Sequence, residues 1–198
     1  MGLDLAYISG QTPLDEYEKD GLLIPTITTR SELDEFEQQN IEDAIQWLLS
    51  RSLKKETILT TQFVSNLHKQ MFDKVWDWAG SFRKSNKNIG VDKYQILSSL
   101  HALLDDIQYW IECDTYKPDE IGVRFKHRLV SIHCFPNGNG RHSRLMADII
   151  ADKVFGLPVF SWGIDNLAKQ SDVRKKYINA LKEADKNNYK TLLLFARS

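Results

Sequence analysis

A chain of 198 residues with a net charge of −1 has room for one domain with a sizeable core and a short arm, and no basic excess to hold nucleic acid. Its two cysteines, Cys113 and Cys134, make neither a disulfide framework nor a metal-binding spacing. No segment reaches membrane-span length and no signal-peptide pattern opens the chain, so the expected setting is the cytoplasm, where thiols stay reduced and no membrane partner is needed.

Residues 1–30 hold Pro13, Pro25, three glycines and a Thr-rich stretch, and read as an irregular arm in which residues 26–30 could be extended. From Ser31, a fitting cap, Leu33, Phe36, Ile41, Ala44, Ile45, Leu48 and Leu49 recur at helical spacing. A second helix is predicted over residues 60–74, with Phe63, Leu67, Met71 and Phe72 on its apolar side. Trp76, Trp78 and Phe82 follow, three aromatic side chains whose simplest use is core packing. The segment 84–91 carries Asn86, Asn88 and Gly90, residues that favour turns, and reads as a short hairpin or loop. Helices are then expected over 92–113, over 118–134 with Pro118 at its start, over 141–155 and over 171–186, with a last short one ending near Phe195. The 171–186 helix is charged enough to show a solvated face. The domain is predicted all-α over 31–198.

The run from His133 to Arg144, HCFPNGNGRHSR, carries the chemistry. Histidine titrates near physiological pH, so His133 can take a proton from an attacking hydroxyl. Gly138 and Gly140 let the backbone turn sharply and let a ligand approach the main chain. The helix that follows aims free N–H groups and its positive end at one point, which suits phosphate. Arg141 and Arg144 lie three positions apart on neighbouring parts of that helix, where guanidinium groups can grip phosphate oxygens. Asn139 can hydrogen-bond a phosphate or brace the turn. Cys134 is chemically able to act as a nucleophile, but a small buried apolar residue is the simpler role. His142 reads as a surface or supporting residue. The pattern as a whole describes a site that holds a polyphosphate and moves a proton beside it.

That run resembles the Fic motif, H-x-F-x-D/E-G-N-G-R-x-x-R, with Asn137 in place of the acidic residue. Upstream, Trp78-Ala79-Gly80 with Arg83 resembles the signature that precedes the Fic substrate flap, and Tyr177 to Phe195 resembles the closing helices. The variant Pro-Asn-Gly-Asn-Gly-Arg-His, with Glu35 to Ile41, is most similar to the bacterial subfamily called mobile mystery protein B. The resemblance implies a Fic-type helical bundle with a short β-hairpin flap. The activity it implies is transfer of AMP from ATP to a hydroxyl side chain of a target protein.

Carried over residue by residue, the resemblance makes His133 the general base. Gly138, Asn139, Gly140, Arg141 and Arg144 become the phosphate contacts, Asn137 the Mg²⁺ position, and Ile178 and Asp185 the adenine contacts. Ser85, Asn86, Lys87, Asn88 and Ile89 become the flap that docks the target's backbone, with Arg83 bracing its base. Retention of Arg144 favours ATP in the nucleotidyl-transfer orientation. Asn137 offers an uncharged oxygen where Mg²⁺ usually takes a carboxylate, which predicts weakened use of the metal. Many relatives carry an inhibitory glutamate that pairs with the last motif arginine. Glu37 is the expected counterpart here, with Glu35 as the alternative. A helix-turn-helix partner is implied by the subfamily resemblance alone. Two other functions stay open: a Fic-type transferase with another phosphate-containing donor or a deAMPylase, and a catalytically weak nucleotide-binding regulator.

Overall fold

A computed structural model of the chain describes residues 12–163 and 170–198. Its helices are α1 (Glu16–Lys19), α2 (Arg30–Leu49), α3 (Lys55–Ile58), α4 (Thr61–Phe72), α5 (Ile96–Glu112), α6 (Pro118–Ile132), α7 (Asn139–Ile149), α8 (Gln170–Asp185) and α9 (Lys190–Ala196). The all-α reading holds: among the described residues there is no strand, and one isolated antiparallel bridge joins Leu22 to Trp76. No helix among them is long and apolar enough to cross a membrane.

Local chemistry sets the helix ends. The cap of α2 is Thr29 and not Ser31, because Glu32 completes a capping box there. Its carboxylate accepts from the Thr28 and Thr29 amides at 2.9 Å each. Of residues 26–30, which could be extended, Thr26 lies in a turn, Ile27 and Thr28 belong to no regular element, Thr29 is extended as the cap and Arg30 opens α2. Thr60 caps α4 by accepting from the Phe63 amide at 3.1 Å. Pro118 opens α6 at a position where its missing N–H costs nothing. The predicted 141–155 helix begins two residues early, at Asn139, and closes in a π turn over Ile150–Val154.

Helices α2, α4, α5, α6 and α7 enclose the main core, in which Leu67, Met71, Phe72, Leu100, Leu103, Phe125 and Phe135 are fully or almost fully buried. A smaller cluster packs α8 and α9 against the back of α6 and α7, around Val123, Ala147, Phe160, Trp162, Ala180 and Leu192. Three apolar residues counted at helical spacing from sequence, Phe36, Ile45 and Leu49, lie exposed. The buried stripe of α2 instead runs Leu33, Glu37, Asn40, Ile41, Ala44, Leu48. It keeps helical period but includes two polar side chains. Asn40 is satisfied across the interface with α4, donating to Gln70 O and accepting from Lys74 N at 2.9 Å each.

The described part of the expected arm, residues 12–29, is folded onto the domain. Leu23 N donates to Val75 O and Asp77 N to Gly21 O, both at 2.9 Å. The Trp78 indole donates to Glu18 O at 2.9 Å. Residues 1–11 of that predicted arm lie outside the described residues.

Candidate active site

Helix α6 ends at His133, which sits in the left-handed region at φ 58°, ψ 59°. A non-glycine residue there is strained by roughly 1–2 kcal/mol. Arg83 stands behind that conformation. Its Nε donates to His133 O at 2.6 Å, and its other nitrogens donate to Ser85 O at 2.7 Å and to Val91 O. One buried guanidinium thus ties both legs of the 84–91 segment to the carbonyl of the candidate base. The bracing role expected of Arg83 is the one it takes.

Across the motif turn, Gly138 adopts φ 76° and starts α7. A Cβ at Gly138 would stand 2.6 Å from the Phe72 ring, so glycine is required by both conformation and space. At Gly140 nothing lies within 4 Å of where a Cβ would stand. Helix geometry leaves the amides of Asn139, Gly140 and Arg141 without intrahelical acceptors. Free N–H groups beside open space at a helix N-terminus form a cradle that fits a phosphate chain.

Asn139 does not reach into that cradle. Its carboxamide accepts from Phe135 N at 3.0 Å and donates to Phe135 O at 2.7 Å, and the side chain is buried. The phosphate role expected of this side chain is therefore corrected to that of a brace. Both of its polar ends are spent on the backbone, and only its N–H can face a ligand.

His68 supports the turn from below, a part that sequence reading missed. Its Nδ1 accepts from Gly80 N at 3.0 Å, which leaves Nε2 as the protonated nitrogen that donates to Asn137 O at 3.0 Å. Its ring stacks on Phe135 with centroids 3.7 Å apart. Burial first, then the neighbouring His142, holds its pKa well below the usual value. The signal was a histidine at a core-phase position of α4, between Leu67 and Met71. His142, expected at the surface or in support, is buried and bonded to Val64 O at 2.9 Å, and burial lowers its pKa to about 4.

The His133 imidazole is 5% exposed and neither ring nitrogen has a partner. Burial, then the positive charges of Arg83 and Lys87, lower its pKa to about 4. At neutral pH it is an uncharged base with a lone pair to offer. Cys134 beside it is buried, and burial pushes its thiol up to about 12, so it is no nucleophile.

The two motif arginines differ. Arg141 pairs with Glu37, Nη2 to Oε2 at 2.7 Å, an ion pair without hydrogen-bond alignment. The other Glu37 oxygen accepts from the Trp76 indole at 2.7 Å, and Glu37 is 2% exposed. Glu35 lies exposed on the outer side of α2, in a shallow depression lined by Ser31, Asp34 and Gln38. Of the two glutamates, Glu37 faces the motif, but its partner is the first arginine and not the last. Arg144 has no ion pair among the described residues; its Nε donates to Gly140 O at 3.3 Å and its guanidinium lies 5.9 Å from the Tyr177 ring.

Tyr177 also receives a hydrogen bond from Lys126, a fully buried amine. Burial and then the Arg144 charge hold the Lys126 pKa well below the ordinary lysine value. Neither residue was singled out from sequence. Ile178 is half-buried next to Tyr177 on α8. Asp185 is exposed and accepts from or pairs with His127 Nε2 at 2.8 Å, while the His127 Nδ1 meets Tyr189 Oη at 3.1 Å.

Asn137 does not offer its oxygen outward: Oδ1 accepts from Gly138 N at 2.6 Å. The carboxylate that reaches the motif, Glu37, is taken by Arg141. No group of three or more His, Cys, Asp or Glu side chains suited to a metal occurs among the described residues. The donor set does not fit a divalent cation held by the protein.

The flap differs from the expected hairpin. Among the described residues no backbone–backbone hydrogen bond involves residues 84–90. Side chains join the two legs instead. Asn86 donates to Asp92 Oδ2 and accepts from Lys93 N, both at 2.8 Å, and Lys93 Nζ donates to Lys84 O at 2.9 Å. Asn88 and Ile89 form an exposed rim, whereas Ser85 is half-buried and the Lys87 side chain is 3% exposed. Gly90, at φ 101°, passes so close to the base that a Cβ there would stand 2.7 Å from His133 Cβ.

Comparison with known proteins agrees with this geometry. Residues 58–151 match the model described as the Fic/DOC family. The Protein adenylyltransferase Fic of Aedes aegypti is 22% identical over 159 residues, which are 78% of this chain. The chain spans about 30% of the length of that curated relative. In fold it is similar to the BepC protein of Bartonella tribocorum, solved with bound AMPPNP (TM-score 0.68, 15% identity, 92% of this chain and 97% of that one). It is likewise similar to C. elegans Fic-1 (TM-score 0.64, 21% identity, 90% and 50%). The end of α6 at His133, the glycine turn that starts α7 and the 84–91 segment thus all fall within residues 58–151, the stretch of this chain that matches the Fic/DOC family.

Proposed function

We propose that this chain is a Fic-type transferase that moves AMP from ATP to a hydroxyl side chain of a target protein and is restrained by Glu37. The observation that carries this reading is the placement of one neutral, buried imidazole beside a glycine-opened helix N-terminus flanked by two arginines. The amides of Asn139 to Arg141 and the Arg141 and Arg144 guanidiniums would hold the phosphates. His133 would take the proton of the target hydroxyl as its oxygen bonds to the α-phosphorus, with the α–β phosphoanhydride bond breaking and pyrophosphate leaving. Lys126 and Tyr177 line the Arg144 side with a hydrogen-bonded amine and hydroxyl. Glu37 opposes this arrangement, since a carboxylate paired with Arg141 withholds that guanidinium from a phosphate.

Any Mg²⁺ would be held by triphosphate and water more than by the protein, and Asn137 would serve the turn. That same observation supports a second reading, a catalytically weak regulator that binds nucleotide without transferring it. Intact-mass measurement after incubation with ATP, in a lysate and alone, separates the two. A gain of one AMP unit on a protein, lost in His133→Ala with nucleotide affinity retained, supports transfer. Binding without any mass gain, in both wild type and Glu37→Ala, leaves the regulator.

A further inference from the structure

The flap's most buried cation is held by the chain's own arm. Lys87 Nζ lies 2.5 Å from Glu18 Oε2 and 2.9 Å from Asp15 Oδ2, and it also donates to Pro13 O at 3.3 Å. Ser85 Oγ donates to Asp15 Oδ2 at 2.5 Å. Glu18 is fully buried although it is a carboxylate on a four-residue surface helix. These contacts cross about 70 positions of sequence, |i−j| being 69 to 74. The contact is therefore made by tertiary folding and not by local charge patterning.

We infer that Lys87 and Ser85 form a docking site for an acidic segment of the target polypeptide, and that Asp15 to Glu18 of the arm occupies it as an internal stand-in. The inference rests on the transferase reading for the word target, but the surface itself is independent of nucleotide. A buried ammonium is stable only while carboxylates or other acceptors surround it. A polypeptide that displaces the arm must therefore replace those carboxylates. Lys87 is also close enough to His133 for its charge to depress the imidazole's pKa, so an acid seated there lies beside the candidate base. The exposed rim of Asn88 and Ile89 continues from that seat, with backbone groups of 84–90 that no other main-chain group engages. The arm has the composition such a segment needs. Its sequence Asp15-Glu16-Tyr17-Glu18 sets a half-exposed tyrosine hydroxyl among three carboxylates.

The test is fluorescence anisotropy with a labelled peptide of residues 12–24, without ATP. The full chain is compared as wild type, as Asp15→Asn/Glu18→Gln, and as the latter with Lys87→Met. In the wild type the tethered acids compete at an effective concentration on the order of millimolar, so the peptide should bind the doubly neutralised chain at least ~10-fold more tightly. A peptide with Asn and Gln at the two acidic positions should bind that chain about tenfold more weakly, and Lys87→Met should erase the difference between peptides. Equal binding of the two peptides, or no binding to the neutralised chain, overturns the proposal. Circular dichroism checks that the variants fold. Should the double variant unfold, Asp15→Asn alone, which neutralises the half-buried carboxylate on Lys87, is read the same way with the same reversal criterion. Failure of AMP transfer would appear in the mass measurement, and failure of acidic docking in the anisotropy, so the two are told apart.

Discussion

The two walls of the pocket are built in opposite ways. On the α6–α7 side, residues 133–144 supply the base, the turn and both arginines from consecutive chain. On the α2 and arm side, Glu37, Asp15 and Glu18 each engage a cation more than 65 positions away, Glu37 on Arg141 and the other two on Lys87. The first wall is local geometry and the second is long-range charge. Under the proposed function the first would bind and react, and the second would hold Arg141 and Lys87 back.

Perturbing each wall separately tests that division. The largest expected effect is on the local side. Gly138→Ala places a methyl group against Phe72 at a positive φ, which should cost roughly 2–4 kcal/mol of stability from strain and overpacking together. A lowered thermal midpoint with loss of nucleotide binding is expected. An unchanged midpoint would show that the turn is not built tightly on α4.

Acid is the next probe. Burial lowers the pKa of His133 and of His142 to about 4 from the ordinary 6.5, and that of His68 is lowered as well. Groups whose folded pKa is depressed bind fewer protons than the unfolded chain between the two values. Their stabilisation is complete above pH 6.5 and is lost as the pH falls towards 4, on the order of 3 kcal/mol for each of the first two. Asp148 acts the other way: burial raises its pKa to about 6, and it favours the fold over its unfolded partner only as the pH drops below that. Denaturant midpoints between pH 7 and 4.5 should therefore fall. A flat profile would mean that the imidazoles are not buried neutral.

On the far wall, Glu37→Gln keeps an acceptor for the Trp76 indole while removing the charge from Arg141. Self-labelling with ATP should rise by about tenfold or more, the worth of a charge-assisted contact, with little change in stability. Glu37→Ala should raise labelling as well but cost about 1–3 kcal/mol, because the indole N–H loses its partner. Labelling that stays at the wild-type level in both variants would remove the restraint from the account. The smallest effect is expected at Asn137. Asn137→Asp should lower the Mg²⁺ concentration needed for labelling by roughly severalfold. An unaltered requirement would place that residue in the turn alone.

Sequence periodicity was informative where burial and period coincide. The α4, α6 and α7 helices were legible from their apolar spacing, and the motif from its residue types. It misled on α2, where Phe36, Ile45 and Leu49 were counted as core and lie outside. The true inward stripe carries Glu37 and Asn40, so hydrophobicity alone could not phase it. A polar residue recurring in the phase of Leu33, Ile41 and Ala44 was the available sign. The flap went astray for a related reason. Asn and Gly signal a turn, but whether its legs pair by backbone or by side chain depends on Arg83 and Asn86 finding carbonyls and amides across the loop.

Composition and pattern alone determined an all-helical domain, a candidate base, a glycine turn before a helix and two arginines, because these depend on neighbours within a few residues along the chain. Tertiary structure alone decided that Glu37 rather than Glu35 meets the motif, that Asn139 turns inward, that His68 props the loop and that the arm seizes Lys87. Those outcomes turn on which buried charge or polar group finds a partner after distant segments pack, and in a dry interior an unpaired group is too costly to leave.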